Sequence, residues 1–432
     1  MPPAPSRAAL TRTAIVGLAA VMSGIGSYVL LVLLRDASDA EYANFAVFWS
    51  MTVTIGLGFF YPVEQETSRS IAGATHGTRG GMVRLVFLVG GGVAVFTSLA
   101  ALALFSPAGL SYIGSPWLVL ALIASFLAYA VQFPARGLLS GSHLTTRYSA
   151  IIAVEGVLRV GLPVLIVALG MAGAVSFAFV VPIATLVSVL PAFIRRRHSW
   201  KGLDRLPVGQ FLGRLARLIG AALSIQLILN SGPLIAKLVG GTDAIALTGE
   251  ILVCLSIARI PVFAYQVLQI LYLPRVASAW RNGDTRQASR TVLVAVGAAV
   301  AAAIVLVLGM LLLGPFILNL FFAGKVLSSF GIILVSGGVG IFLIALVVSD
   351  GSLALGRHTL VIRSWVIGAV AAVVPVLLLS DPLLRVTSPL IVGSFVAAVQ
   401  LGIGLARTVR SSRADGPPAV PAAADDPVER VA

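Results

Sequence analysis

Residues 59–69 read FFYPVEQETSR, and residues 270–281 read ILYLPRVASAWR. Each stretch closes a long apolar run with a proline and then turns abruptly polar and basic, which sets Pro62 against Pro274, 212 positions apart. Two further pairs fall at nearly the same offset. The loop GSHLTTRYS at 141–149 is echoed by GRHTLVIRSW at 356–365, which pairs Gly141 with Gly356 and His143 with His358 at an offset of 215. PVLI from Pro163 is echoed by PVLL from Pro375, again at 212. Three landmarks in step predict an internal duplication, with half the chain's helices in each copy. If the offset covers six membrane spans, both copies sit the same way up, and their pseudo-axis runs along the membrane normal.

Composition identifies the solvent. Only 11% of the 432 residues are charged and 58% are hydrophobic, with a mean hydropathy of +1.03. A soluble chain carries about 25% charged residues, so most of this surface must face lipid. One helical span needs about 20 apolar residues. On that measure the sequence predicts twelve spans, at 13–34, 43–62, 85–106, 116–135, 149–169, 175–195, 217–239, 247–272, 291–313, 328–349, 360–380 and 388–407. The fold class expected is therefore all-α integral membrane, with about twelve transmembrane helices in two parallel-repeat six-helix lobes. The expected organisation is a cytoplasmic N-terminal tail (1–12), an N-lobe (13–195), a linker (196–216), a C-lobe (217–407) and a disordered tail (408–432). The run 13–34 exceeds the 7–15 residues of a signal-peptide core and reads as a retained span. The cytoplasmic linker contains an amphipathic stretch, PVGQFLGRLARLIG, expected to lie along the inner leaflet.

The formal charge of +14 is not a nucleic-acid face, because the bases stand in short clusters between apolar runs. With a cytoplasmic N-terminus, the inside segments hold 24 Lys and Arg and the outside loops three, while three more lie within spans. That asymmetry is the positive-inside bias. It predicts a multi-pass protein of the bacterial plasma (inner) membrane with both termini cytoplasmic. The lone Cys254 excludes a disulfide within the chain. No P-loop, HExxH or GxSxG motif occurs, so no enzymatic activity is expected.

Three stretches carry a family resemblance: Asp39–Ala72, Ala135–Arg159 and Asn230–Arg275. They resemble polysaccharide exporters of the Wzx type, in the multidrug/oligosaccharidyl-lipid/polysaccharide (MOP) flippase superfamily, and especially its actinobacterial members. The resemblance spans most of 13–407 without one diagnostic signature. It implies two six-helix lobes in a V, as in MATE transporters. It also implies movement of a lipid-diphosphate-linked oligosaccharide, such as an undecaprenyl-diphosphate glycolipid, between leaflets. The sequence departs from lipid II flippases in lacking thirteenth and fourteenth spans, and from the MATE type in its few intramembrane acids. A monomer is expected, working beside a glycan polymerase or glycosyltransferases. No cofactor is expected, beyond an H⁺ or Na⁺ coupling ion.

Intramembrane charges are costly and mark candidate sites. Glu155 and Arg159 stand at i,i+4 in the fifth span, acid before base. They read either as a cavity lining or as an internal salt bridge, with Glu155 as an ion-pair or coupling residue. Arg259, in the eighth span, has no acid within four residues. A guanidinium can donate two hydrogen bonds to a diphosphate, so Arg159 and Arg259 together could hold one anionic head group across the lobes. Asn230, Gln266 and Gln269 suit sugar hydroxyls or inter-helix hydrogen bonds. Lys237 suits the substrate path or a snorkelling position at the interface. Glu64, Glu66 and Arg69 read as a cytoplasmic gate or, more simply, as solvated loop ends. A MATE-like cation-coupled exporter of small molecules is the alternative function. A glycan polymerase or glycosyltransferase fits less well, because no large outside loop occurs.

Overall fold

The computed structural model describes residue 26 and residues 28–73, 79–193, 208–239, 242–322 and 325–414. Among these residues every regular element is helical and no strand occurs. Twelve membrane-spanning elements follow in order. They are α1 (described over 28–33), α2 (Asp39–Ala72), α3 (Arg79–Leu102), α4 (Pro116–Gly141), α5 (Thr145–Ala168) and α6 (Ala174–Phe193). After them come α7 (Val208–Val239), α8 in two pieces (Thr242–Ala258 and Ile260–Arg281), α9 (Thr285–Phe322), α10 (Ser329–Ala354), α11 in two pieces (His358–Ala371 and Val373–Leu378) and α12 (Pro382–Ala414). Ten helical stretches are long and apolar enough to cross a membrane, and Ala174–Leu190 is a shorter apolar helix. In a bilayer only helices and closed barrels satisfy every backbone group, so this is a multi-pass membrane protein.

Helix packing repeats across the halves. In the first, α4 packs on α2, α3 and α6, and α5 on α6. In the second, α10 packs on α8, α9 and α12, and α11 on α12. The same neighbours recur six helices later, as a parallel duplication requires. Between the halves, α2 lies against α7 and the first piece of α8. A π-helical turn at Gly56–Phe60 interrupts α2 at this boundary. A Cβ on Gly56 would fall 2.9 Å from the ring of Tyr129 on α4, and one on Gly58 would fall 3.0 Å from Leu223 on α7. Those two glycines let α2 stand close to both halves at once.

Several expected boundaries move. Residues 1–12, most of the first span and residues 196–207 of the linker lie outside the described residues. From Val208 onward the amphipathic stretch is the beginning of α7 rather than a separate surface helix. Its Phe211 and Leu215 are buried against Val63 and Ile71 of α2 and Met82 and Val86 of α3, so its apolar face is covered by protein. The tail expected from residue 408 is helical as far as Ala414. Breaks in α8 and α11 follow proline chemistry. Pro261 and Pro375 have no N–H for the carbonyl four residues earlier, and their rings crowd it.

The GxH loops repeat at an offset of 213, not 215. After α4, the N–H groups of Ser142, His143 and Leu144 donate to the carbonyls of Leu138, Ser140 and Leu139. After α10, Leu355, Gly356 and Arg357 donate to Gly351, Leu353 and Ser352 in the same pattern. His143 (φ 57°) therefore takes the left-handed position that Gly356 (φ 75°) takes in the second half. A left-handed backbone costs an L-residue about 1 kcal/mol, and nothing lies within 4 Å of where a Cβ on Gly356 would go. Gly356→Ala should therefore lower stability by about 1 kcal/mol and His143→Gly should raise it by a similar or smaller amount. Thermal unfolding of the purified protein in detergent reads both.

Candidate functional site

The fifth-span pair forms the centre of a buried polar network inside the first lobe. Arg159 Nη2 lies 2.7 Å from Glu155 Oε1. Gln132 of α4 donates to Glu155 Oε2 at 2.9 Å and to Ser188 Oγ of α6 at 2.9 Å, and Thr185 Oγ1 donates to Glu155 Oε1 at 3.4 Å. The carboxylate is thus held by three helices. Gly26 of α1 presses on the same place, because a Cβ there would fall 2.9 Å from Arg159 Cβ. This geometry is that of the internal salt bridge, one of the two sequence readings.

Arg259 has a different setting. It occupies the break between the two pieces of α8 and is only 9% exposed, and no carboxylate lies within ion-pair distance of it among the described residues. Its Nη2 donates to the carbonyl of Leu229 and to Oδ1 of Asn230 on α7, both at 2.8 Å. Leu229 is free to accept because Pro233, four residues on within α7, offers no N–H. Asn230 is fixed in turn by donating to the carbonyl of Gln226 at 3.0 Å. The Nε of Arg259 is buried with no partner. Tyr28 of α1 donates to the carbonyl of Ser256 at 2.5 Å, one turn before Arg259. The arginine therefore sits where the two lobes meet. α1 has Arg159 at Gly26 and the break of α8 at Tyr28, so it stands between the two cations. Among the described residues no side chain hydrogen-bonds to both Arg159 and Arg259. The cavity beside Leu229 and Leu255 is apolar and holds about 10 Å³.

The two acids of the expected gate are not solvated. Glu64 and Glu66 are 4% and 0% exposed, while Arg69 is exposed and apart from them. Glu64 Oε2 lies 3.0 Å from Arg136 Nε, and Tyr148 donates to Glu64 Oε1 at 3.0 Å. Arg136 also rests over the rings of Phe133 and Tyr148. Glu66 Oε1 accepts from Arg214 Nε of α7 at 2.6 Å and from Ser70 at 3.0 Å. This second pair crosses between the halves. At the opposite end the halves are tied by Lys325 to Asp39 at 2.9 Å, with its ammonium 5.0 Å above the Tyr42 ring. Tyr112 to the carbonyl of Leu234 at 2.8 Å and Lys237 to Asn44 add two more ties. Lys237 is thus bonded across the boundary and does not reach out alone to the interface.

One group escaped the sequence reading. Asp350 lies a single residue past the end of the predicted tenth span but well inside α10, and it is 6% exposed. Tyr265 donates to its Oδ2 at 2.6 Å, Gln269 sits beside it, and no cation pairs with it among the described residues. Gln269 belongs to this cluster, whereas Gln266 is exposed. No group of three or more His, Cys, Asp or Glu suited to a metal ion occurs among the described residues.

The backbone can now be compared with solved structures. An inward-facing multidrug-resistance MATE family transporter of the MOP superfamily superposes with a TM-score of 0.74, at 13% identity over 94% of this chain and 99% of that one. An outward-facing transporter of the same description gives 0.58, at 15% identity over 92% and 96%. The bent form of the Vibrio cholerae MATE transporter VcmN gives 0.58, at 17% identity over 94% and 99%. The chain has the MATE fold. No protein-family profile matches it, and no curated protein does.

Glu155 and Arg159 can be separated from the site by a double-mutant cycle. Removing one partner of a buried pair costs about 3–5 kcal/mol, whereas replacing both with apolar residues of similar volume is often close to neutral. Arg159→Met should therefore lower thermal stability sharply, and Arg159→Met with Glu155→Leu should recover most of it. Equal losses in the single and double variants would show that the pair does not act as one unit.

Proposed function

We propose that this chain is a transporter that moves a lipid-diphosphate-linked oligosaccharide from the inner to the outer leaflet by alternating access of its two lobes. The observation that carries this reading is Arg259. Among the described residues it is a buried guanidinium at the lobe boundary, held by a carbonyl and an amide oxygen through Nη2, with its Nε buried and unpartnered. A diphosphate would offer that fork two charged acceptors, and charge-assisted bonds are roughly twice as strong as neutral ones. Asn230 positions the arginine, and Arg159 stabilises the first lobe from within. The duplicated fold, with relatives solved facing inward and outward, supports the rocking of one lobe against the other. The arginine-rich ends of the helices favour cytoplasmic termini in a bacterial plasma membrane. The glycan, a monomeric state beside a polymerase or glycosyltransferases, and coupling to H⁺ or Na⁺ belong to the same proposal.

One observation favours a second reading, a cation-coupled exporter of small molecules. Asp350 is a buried carboxylate held by a tyrosine, with no cation paired to it among the described residues, the kind of group that can bind a coupling ion.

Proteoliposomes separate the two. With a fluorescent short-chain polyprenyl-diphosphate sugar, Arg259→Ala should slow transfer between leaflets about 10- to 100-fold, the worth of one or two charge-assisted hydrogen bonds. Arg259→Lys should recover part of the rate, because lysine offers a point charge in place of a fork. Wild-type transfer by Arg259→Ala would overturn the proposal. Asp350→Asn should leave transfer down a substrate gradient intact. If it instead abolishes pH-gradient-driven efflux of an organic cation dye, and no glycolipid moves at all, the second reading holds.

A further inference from the structure

A groove at the arginine-rich end of the second lobe takes no part in that site. It is an open surface groove between α11 and α12, lined by Arg357, Leu360, Gly404, Arg407, Thr408 and Ser411. We propose that it binds the phosphate of an anionic membrane lipid. Both guanidiniums are exposed, and neither has a carboxylate within 4 Å among the described residues. The hydroxyls are already committed as donors, Thr408 to the carbonyl of Gly404 and Ser411 to that of Thr408, each at 3.0 Å. The groove therefore presents free donors from the two arginines alone, which selects an anion.

The floor is apolar and tight. A Cβ on Gly404 would lie 2.4 Å from Leu360 Cδ2, so the two helices cross there with only a glycine between them. On the same helix faces, further toward the membrane centre, Ile367 and Ile403 are exposed. A ligand that fits carries a phosphate at one end and hydrocarbon at the other. The helix ends here are those that also carry Arg136, Arg214, Arg281 and Arg286, the level at which basic pockets between transmembrane helices meet lipid head groups. A free inorganic phosphate would satisfy the arginines but leave the isoleucines without a partner.

Binding of phosphatidylglycerol and of phosphatidylcholine to the purified full chain in a zwitterionic detergent tests this, read through tryptophan fluorescence. Phosphatidylglycerol should bind and phosphatidylcholine should not. Each basic side chain near a charged membrane surface is worth about fivefold in affinity. Arg357→Gln and Arg407→Gln should therefore each weaken binding about fivefold, and the double variant about 25-fold. Lysine at both positions should retain most of it. Arg363→Gln with Arg410→Gln changes the charge of the same end by the same amount outside the groove and should leave binding unchanged. Wild-type binding by the Arg357/Arg407 double variant, equal weakening by the control pair, or full competition by millimolar inorganic phosphate would each overturn the proposal. The measurement does not depend on what the lobes transport.

Discussion

Hydrocarbon offers a charged side chain no partner, so every ionised group within the helices must find its compensation in the protein. Burying an unpaired ion costs several kcal/mol even after relaxation, and the arrangement of this bundle follows from that cost. Glu155 is answered by Arg159 and Gln132, Glu64 by Arg136 and Tyr148, and Glu66 by Arg214. Apart from Glu155–Arg159, which lies within α5, these ties join one helix to another. Gln132 and Ser188 lock α4 to α6 around α5, and Arg214 draws the start of α7 onto the end of α2. The charges thus fix which helices touch, while the surrounding apolar side chains fill the space between them.

α2 is the element through which the two halves meet. Its π turn and two glycines admit α4 on one side and α7 on the other. Its ends carry opposed sets of ties. At the arginine-rich end Glu66 meets Arg214. At the other end Asp39, Tyr42 and Asn44 hold Lys325 and Lys237. A lobe cannot rock about α2 without breaking one set. The end away from the arginines carries more of these ties among the described residues. The Lys325–Asp39 pair, with Asp39 exposed, is worth about 1 kcal/mol or less, whereas Glu66 is buried in its pair with Arg214.

The helix count and the duplication were legible in the sequence because both depend on patterns that lipid enforces: apolar runs of fixed length and alternating basic loops. The absence of an acid near Arg259 on its own helix could also be read from spacing. Partners on other helices could not. Nothing in the order of residues says that Arg214 will reach Glu66, and for that reason two carboxylates that look like solvated loop ends are buried. Asp350 escaped because a hydropathy window closes at the first charge, whereas the helix continues for another turn. In the GxH loops, identical letters pair at an offset of 215, two residues away from the structural register. Backbone geometry matches a histidine to a glycine instead, since both hold the left-handed position.

Pro233 gives Arg259 its particular standing. By withholding an N–H from the carbonyl of Leu229, it supplies the arginine with an acceptor inside the membrane that costs α7 no hydrogen bond it would otherwise have had. The guanidinium is thereby satisfied well enough to be buried and yet bound only to neutral dipoles. Had a carboxylate filled that place, as at Arg159, an incoming phosphate would have had to displace a full charge. Displacing a carbonyl and an amide is the smaller step, and both lie on one helix, so a small rotation of α7 against α8 releases the two bonds together. In the function proposed above, a cation held by neutral partners at the joint between two lobes would couple the arrival of an anion to movement of that joint. The paired charges elsewhere in the bundle have no such freedom.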